Sequence, residues 1–500
     1  MKICFILQRR FAYVGHKMAL IFKEKYGINE FCGYVYTRAS FEFLKKQTDI
    51  NYTSLLLDEE IHKSYKNEPL DLDYIAWLER EYGLPNLWPY IAVDRVVMYN
   101  MLAREYPYDT PPYTHEEMMR ILQVKAKAII NFLETARPDV IFFTVVGGIG
   151  AMLLYHIAKK KNIKVFIIAL TRINRLHSLS ISYKKLSYAE NLFNDLMLDN
   201  KESKKIKEAE QYLNEFRHKD TSPLYASLQN QNRLYRLRPL KWLSPKNLWG
   251  SCRWFTILCY RYFAGRQDGY CDEKPLGYLI DRIRRKTRTL IGFKHLYDKI
   301  DFNEDFAFFA LHYEPEIATL LFAPFWSDQI NLIKQVAKSL PLHFKLYVKE
   351  HPAMVGYRPH AYYRELKKIP NVKLLDPDVS SFQTIRQSKL IATITSTAGW
   401  EAVLLKKPVI TFGDTFYNKL STVIKCEKID ELPIIVKKQL ANFKYNEQEL
   451  VNFIGAIMEE SADVGLNEIW EVGVEPAAEK VRLTRLVDLM AKKLNIPLLT

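Results

Sequence analysis

Two stretches, FKLYVKEHP at 344–352 and LIATITSTAGWEAVLLKKPVITFGD at 390–414, decide the fold of this 500-residue chain. Each begins with an apolar run typical of a strand buried on both faces of a parallel sheet, and each then turns polar. In open α/β sheets, ligands bind beyond the carboxyl ends of the strands, where loops and helix N-termini converge. The pair therefore predicts an open α/β sheet with a ligand site at that edge.

Behind the second strand, the residues suit a phosphate-bearing ligand. Ser396 and Thr397 offer hydroxyl groups at the predicted start of a helix, and Gly399 leaves its first backbone N–H groups uncovered. An anionic oxygen can therefore approach the positive end of the helix dipole. Glu401, one turn further on, is spaced to reach a ribose diol, as acidic residues do in other nucleotide sites.

His351 and Pro352 follow the first strand and form a second polar motif. The imidazole can donate a ring N–H to another phosphate oxygen. Each motif alone has an alternative interpretation, because a Ser-Thr start is also typical of an ordinary helix cap and a proline also marks the end of a strand. Two polar strand ends with an αβ unit between them favour a nucleotide site over two unrelated caps.

These motifs resemble those of a known family. Between about residues 306 and 425 the chain contains LHYEPE at 311–316, KEHP at 349–352, STAGWEAVL at 396–404 and FGDTFY at 412–417. This segment is similar to the bacterial capsule polysaccharide biosynthesis proteins, which include Kdo transferases and have the two-domain GT-B glycosyltransferase architecture. The resemblance covers about a quarter of the chain well and the N-terminal third only in outline.

The resemblance implies roles for individual residues. It implies that His351, Ser396 and Thr397 bind the donor phosphate and that Glu401 is the carboxylate on the nucleotide side. The chain departs from the family at Glu314, where the family often has glutamine. Related motif pairs also occur in glycerophosphate polymerases and nucleotide-sugar epimerases, so the identity of the donor stays open.

The N-terminal part of the chain predicts a first Rossmann-like unit. An amphipathic helix at 115–136 precedes the apolar strand at 140–146, and a glycine turn, a further helix and a strand at 165–169 follow. Gly147 and Gly148 lack the spacing of a dinucleotide fingerprint. We interpret them as a tight turn beside an interdomain cleft or as a purely structural turn. Arg172, after the next strand, is similarly placed.

Length and composition predict a folded α/β protein of several domains. Aromatic residues make up 13% of the chain, which excludes disorder as its main state. We predict an N-terminal Rossmann-like acceptor-side domain at 1–200, a basic aromatic helical insertion at 201–300, a nucleotide-sugar-binding Rossmann-like domain at 301–440 and a helical tail at 441–500. The amphipathic end of the tail is expected to cross back onto the first domain, as the final helix does in GT-B proteins.

Charge is concentrated in one segment. The chain has a formal net charge of +15, and residues 231–300 hold 16 Lys and Arg against 5 Asp and Glu. Basic residues interleaved with tryptophan are typical of a surface that meets anionic lipid headgroups. Nucleic acid is the competing partner for such a patch, and an insertion that packs its aromatic residues into a core is the structural alternative. No nucleic-acid partner is expected.

Three features of the sequence indicate the cellular compartment of the protein. The six cysteines have no CxxC spacing, which argues against a zinc site or a disulfide framework. The apolar start of the chain is too short for a signal peptide, and no apolar run approaches the roughly 18–20 residues that span a bilayer. We therefore expect a cytoplasmic protein that can attach peripherally to the inner face of the cytoplasmic membrane.

The expected activity is a metal-independent transfer of a sugar, such as Kdo or another acidic sugar, from a CMP-activated donor to a surface polysaccharide or its lipid-linked starter. No cofactor is expected besides the nucleotide-sugar substrate. The alternatives are a CDP-polyol phosphotransferase and a non-catalytic component of a polysaccharide assembly complex. The candidates for general base are Asp94, Glu314 and Glu316. His312 and Lys349 are expected to line the donor and acceptor cleft.

Overall fold

The computed structural model describes residues 1–83, 86–100, 110–220, 244–265 and 274–499. Two largely parallel sheets organise these residues. Within this part of the chain, the first sheet has the order β13-β6-β5-β4-β1-β2-β3. Its strands are β1 (Lys2–Leu7), β2 (Glu30–Val35), β3 (Tyr52–Leu57), β4 (Val140–Phe143), β5 (Lys164–Leu170), β6 (Leu176–Ser180) and β13 (Ser461–Asp463).

The second sheet is parallel throughout and has the order β12-β11-β10-β7-β8-β9. Its strands are β7 (Phe306–Ala310), β8 (Lys345–Lys349), β9 (Val372–Leu375), β10 (Leu390–Thr393), β11 (Val409–Thr411) and β12 (Val423–Lys425). The chain therefore runs outward from a central strand and reverses direction once, which is the strand order of a Rossmann-like domain. The two motif-bearing stretches of the sequence supply β8, β10 and β11.

Helices cover both sheets. Those before residue 200 are α1 (Phe11–Tyr26), α2 (Arg38–Lys45), α3 (Asp58–Lys63), α4 (Leu72–Tyr82), α5 (Trp88–Ala92), α6 (Arg95–Tyr99), α7 (His115–Ala136), α8 (Ile149–Lys160) and α9 (Ser187–Leu198). The helix predicted at 115–136 has those bounds because Thr114 and Glu117 form a capping box at its start.

The later helices are α10 (Ile206–Arg217), α11 (Pro245–Phe263), α12 (Pro275–Ile291), α13 (Ile317–Leu320), α14 (Gln329–Ser339), α15 (His360–Lys367), α16 (Ser381–Gln387), α17 (Thr397–Leu404), α18 (Leu432–Asn442), α19 (Glu447–Glu459) and α20 (Pro476–Leu494). A π-helical turn spans Glu468–Val472. Short 3-10 helices lie at Ser64–Asn67, Lys294–Leu296, Pro324–Trp326, Pro352–Met354, Phe416–Lys419 and Ile429–Glu431.

The core of the second domain includes residues that precede its predicted start at residue 301, from the predicted first domain and from the predicted insertion. Phe193 of α9 and Phe216 of α10 are buried in the same apolar cluster as Trp400 of α17. The ring of Phe216 lies 5.4 Å from that of Phe382, between centroids, in an edge-on arrangement. Packing against α17 thus places α9 and α10 on a face of the second sheet.

The end of the described chain returns to the first domain. Strand β13 pairs antiparallel with β6, and α20 packs against α1, where Asp488 accepts hydrogen bonds from Lys25 and Tyr26. Leu483 and Met490 of α20 are fully buried, and burial of such side chains stabilises a fold by about 1.5–3 kcal/mol each. Val481 of the same helix is exposed.

In the described part of the insertion, helices α11 and α12 form a pair that contacts the second domain through α12. Helix α11 buries no side chain, and it contacts α12 through Arg282, whose guanidinium lies 4.6 Å from the centre of the Trp254 ring. Helix α12 is anchored to the second domain because Arg288 donates to the carbonyl of Tyr357 at 2.6 Å. The exposed helix α11 contradicts the interpretation that its aromatic residues fill a core. Residues 231–243 and 266–273 of the predicted patch lie outside the described residues.

The predicted fold class is confirmed: two Rossmann-like domains face a cleft, with a helical insertion and a C-terminal helix that crosses back. Both sheets direct the carboxyl ends of their parallel strands towards this cleft, since the loops after β4, β5, β7 and β10 line one cavity. The fold therefore brings together loops that are far apart in the sequence.

Candidate active site

A cavity of about 450 Å³ lies between the two domains. The first domain lines it with residues that follow β4 and β5 and with the loop at 183–186. The second domain contributes the loop at 316–318, the start of α17 and the segment at 414–417. A cleft that joins strand ends from two Rossmann-like domains is where α/β proteins bind ligands.

The N-terminus of α17 points its polar groups at this cavity. Ser396 caps the helix by accepting a hydrogen bond from the N–H of Ala398 at 3.0 Å, and both Ser396 and Thr397 line the cavity. The neighbouring Thr395 also lines it, and its hydroxyl donates to the carbonyl of Ala318. The structure thus places the predicted hydroxyl pair at a positive helix end that faces open space.

Gly399 has a packing role. The hydroxyl of Tyr417 donates to the carbonyl of Ser396 at 2.7 Å and passes directly over Gly399. A Cβ at this position would collide with that hydroxyl and lie 2.9 Å from a methyl group of Thr393. The glycine therefore lets Tyr417 reach the first turn of α17.

Glu316 is the predicted base candidate that lies in the cavity lining. Burial raises the pKa of its carboxyl, and the nearby cations of Arg172 and Arg95 act in the opposite direction. Both arginines also line the cavity. The site therefore combines a carboxylate of raised basicity with two guanidinium groups from the other domain.

Arg172 lines the cavity, whereas Gly147 and Gly148 lie outside its lining. Arg172 adopts a left-handed backbone conformation with φ of 61° after β5. Gly148, with φ of 119°, precedes α8 and needs the freedom of glycine. Gly147 faces Ile317 of the second domain so closely that a Cβ would collide with that side chain. The turn thus forms a close approach between the two domains.

Glu314 lies outside this cavity lining. Its carboxylate pairs with Arg358 at 2.9 Å, and Arg358 also pairs with Glu350 and donates to the carbonyl of His312 at 2.6 Å. All of these side chains are buried. The carboxylate of Glu314 is thus paired with Arg358 and helps to link the loops after β7 and β8. This pairing corrects the prediction that Glu314 is a candidate general base.

Asp94 is also a structural residue. It is buried and caps α6 by accepting from the N–H groups of Val96 and Val97, while its other oxygen accepts from the N–H of Ile149 at 3.1 Å. One carboxylate therefore ties the starts of α6 and α8 together. Its predicted catalytic role is corrected, and its sequence neighbour Arg95 is the residue that lines the cavity.

His312 and His351 are not among the residues that line the cavity. The Nε2 atom of His312 accepts from the N–H of Thr395 at 3.2 Å, and Nδ1 of His351 accepts from the N–H of Ala353 at 3.2 Å. Burial lowers the pKa of His312 to about 3 and that of His351 to about 4, with further lowering by Arg358. Both rings are therefore neutral near pH 7. His312 joins the strand ends of β7 and β10.

Three further predicted residues are held by local packing. The amine of Lys349 is buried and donates to the hydroxyl of Ser381 at 2.7 Å, and Pro352 opens a short 3-10 helix. Glu401 is buried on the side of α17 that meets α10, where its charge adds to the effect of burial in raising the pKa of Tyr212. Because both side chains are buried, the predictions that Lys349 lines the cleft and that Glu401 contacts a ribose are corrected.

Several residues of the cavity were missed at the sequence level. Asp414 accepts from Lys425 at 2.8 Å and pairs with Lys184 of the first domain at 3.1 Å. Burial raises the pKa of Asp414, but these two lysines outweigh it and the net pKa is lowered. Asp414 belongs to the FGDTFY motif, which follows β11. This position at a strand end is the signal that could have identified Asp414 as a cavity residue. Lys184 and Arg95 have no local motif.

Comparison with known proteins supports the motif resemblance. Residues 322–421 match the family described as "Capsule polysaccharide biosynthesis protein". This match confirms the resemblance to that family for the segment that carries the start of α17. Protein FixF of Sinorhizobium fredii (strain NBRC 101917 / NGR234) is 29% identical over 139 residues, which cover 26% of this chain and 32% of that protein. The matched segment thus spans about a third of the relative's length.

Solved structures with similar folds include a sugar transferase and an epimerase. The β Kdo 2,7 transferase KpsC of Thermosulfurimonas dismutans is 15% identical, with 73% of this chain and 89% of that chain covered and a TM-score of 0.34. The UDP-GlcNAc 2-epimerase of Methanocaldococcus jannaschii is 12% identical, with 92% and 98% covered and a TM-score of 0.26.

Proposed function

We propose that this chain is a GT-B glycosyltransferase of surface or capsular polysaccharide synthesis. It moves an acidic sugar such as Kdo from a CMP-activated donor to a glycan acceptor. The observation that carries the proposal is the composition of the interdomain cavity. The hydroxyl-bearing start of α17 lies on one side, and Glu316 with Arg95 and Arg172 completes the lining.

The start of α17 is proposed to hold the donor phosphate. Departure of the nucleotide leaves negative charge on a phosphate oxygen, and fixed donors stabilise such charge most effectively in a site that excludes water. The hydroxyl groups of Ser396 and Thr397 are proposed as these donors, and the positive end of the helix dipole adds to their effect. We propose that the transfer needs no metal, since these groups and the cleft arginines already compensate the charge.

The two arginines favour an acidic sugar. A guanidinium group binds a carboxylate through two parallel hydrogen bonds, which selects for planar anions. Arg95 and Arg172 are close enough to Glu316 for their charges to oppose the effect of burial on its pKa. A donor carboxylate bound to one arginine would leave Glu316 to accept the proton of the acceptor hydroxyl as general base.

Nucleotide binding provides the direct test. CMP at saturating concentration is expected to raise the midpoint of thermal unfolding, and CDP and UDP are expected to raise it less. Thr397→Val should weaken CMP binding by about 10–150-fold, because a hydrogen bond to a charged group is worth about 1.5–3 kcal/mol. Thr135→Ala, at an exposed threonine of α7, is the matched control. Isothermal calorimetry gives the affinities.

The outcomes of this test separate the alternatives. Preference for CDP would favour a polyol phosphotransferase, and preference for UDP would contradict the CMP assignment. Absence of binding by all three nucleotides would contradict the transferase and favour a non-catalytic role in polysaccharide assembly. Equal CMP affinity in wild type and Thr397→Val would show that the start of α17 does not bind the phosphate.

We also propose that the α11–α12 pair docks on an anionic membrane surface. Among its apolar side chains, Trp249 is 74% and Phe263 is 82% exposed, and Lys246, Arg253 and Arg261 on the same helix are exposed cations. Aromatic rings at headgroup level together with cations are the chemistry of interfacial helices. Along the described residues, every helix is too short or too polar to cross a bilayer.

Membrane docking predicts a loss on substitution. Trp249→Ser combined with Phe263→Ser is expected to reduce co-sedimentation with vesicles of phosphatidylcholine and phosphatidylserine at least tenfold, because both rings lose their interfacial contact. Leu342→Ser removes an equally exposed apolar side chain from the second domain and should have no effect. Unchanged sedimentation would contradict docking. A gel shift with oligonucleotides, or dimers that the double substitution disperses, would indicate another partner.

A further inference from the structure

A second cavity, of about 970 Å³, adjoins the first. Tyr183, Lys184, Leu321 and Asp414 line both cavities, so the two cavities share a wall. The larger cavity runs outward from the cleft between α5 and α8 of the first domain and the segment at 320–325 of the second. Its size and direction suit an extended ligand whose end reaches Glu316.

One wall of this outer cavity is aromatic. The rings of Tyr155 and Tyr183 lie 5.1 Å apart between centroids, and the ring of His156 lies 5.2 Å from that of Tyr90. Trp88 stands at the wall with 51% of its surface exposed. The buried rings of Tyr155 and Tyr90 hold those of Tyr183 and His156 in place. Rings fixed in this way offer rigid faces for the C–H surfaces of sugar rings at little entropic cost.

The opposite rim belongs to the second domain. Phe325, which follows Pro324 in a short 3-10 helix, is 89% exposed and lines the same cavity. An aromatic side chain this exposed contributes little packing to its own domain, and it lines the same cavity as Trp88 and Tyr183 of the first domain. A ligand in the cavity would therefore contact both domains.

Lysines border the aromatic wall. Lys159 and Lys160 end α8, and Lys184 follows Tyr183. The amine of Lys159 lies 3.3 Å from the hydroxyl of Tyr155, a neutral partner, while Lys160 and Lys184 pair with Glu81 and Asp414 at 3.5 and 3.1 Å. The three lysine side chains are exposed, so each amine can reach a ligand carboxylate in the cavity.

We infer that the outer cavity binds the growing end of the acceptor, a glycan chain that carries carboxylate groups. Its sugar rings lie on the aromatic wall, its carboxylates meet Lys159 and Lys184, and its terminal hydroxyl reaches Glu316. The inference rests on the proposed function and adds the chemical class of the acceptor. The alternative occupant, the isoprenoid part of a lipid-linked starter, lacks groups that would use the lysines.

A glycan array tests this inference. Wild-type protein with CMP is expected to bind printed acidic oligosaccharides, including oligomers of sialic acid and of galacturonic acid, more strongly than maltohexaose. Trp88→Ala and Lys159→Ala should each weaken that binding at least tenfold. Trp249→Ala and Lys164→Ala, which change exposed residues outside the cavity, are the matched controls. The thermal shift with CMP should be the same in all five proteins, which shows that each is folded.

The outcomes distinguish the two proposals. A CMP shift without binding to any acidic oligosaccharide overturns the acceptor assignment and leaves the transferase intact, whereas loss of the CMP shift in wild type overturns the transferase itself. Glycan binding that survives both substitutions, or that isolated polyprenyl phosphate displaces better than any sugar, also overturns the acceptor assignment.

Discussion

Glu316→Gln is expected to lower the rate of sugar transfer by about 10²–10⁴-fold, the usual contribution of a general base. The amide keeps the size of the side chain but cannot accept the proton of the acceptor hydroxyl. Affinity for CMP should not change, because the donor phosphate is assigned to the start of α17. Glu134→Gln, at an exposed glutamate of α7, is the matched control.

The pH dependence gives an independent signature of the same residue. Burial raises the pKa of Glu316 above the ordinary value of 4.5. A general base works in its deprotonated form, so the wild-type rate should fall as the pH drops through this raised pKa. The variant should lack that acidic limb. A wild-type limb that persists in Glu316→Gln, or a rate within twofold of wild type, would assign the base elsewhere.

Arg358→Met is expected to lower the free energy of unfolding by roughly 3–5 kcal/mol. The substitution leaves the carboxylates of Glu314 and Glu350 buried without their cation, and uncompensated buried charges carry a penalty of this size. Urea denaturation followed by circular dichroism measures the change. Arg364→Met, at an exposed arginine of α15, should change the free energy by less than about 0.5 kcal/mol.

A second substitution checks the cause of this destabilisation. Glu350→Gln added to Arg358→Met removes one of the two stranded charges and should recover part of the lost stability. A loss below about 1 kcal/mol in Arg358→Met, or a further loss in the double variant, would show that the cluster does not behave as a buried ion network.

The fold was largely predictable because its signals are local. The apolar runs of β8 and β10 are followed directly by their polar motifs, and the capping box at Thr114 and Glu117 fixes the start of α7 within a few residues of sequence. Such short-range patterns report secondary structure and strand ends reliably. Ser396 and Thr397 could be placed in the cleft for the same reason.

The site was less predictable because burial and pairing depend on distant residues. Glu314 and Glu316 are two positions apart on the same loop, yet Glu314 pairs with Arg358 whereas Glu316 lines the cavity. Asp94 was predicted as a candidate general base and its neighbour Arg95 was overlooked, since only the approach of α8 shows which of them lines the cavity. No local pattern contains this information.

The return of β13 and α20 to the first domain has a consequence for biosynthesis. The ribosome delivers residues 1–180 first, but the apolar face formed by α1 and β1 is covered by α20, whose last residue is Leu494. At about 5–20 residues per second, the nascent chain keeps that face uncovered for tens of seconds. The domain that emerges first therefore stays incomplete until α20 is made, and chaperones that shield apolar surface during translation would act on it.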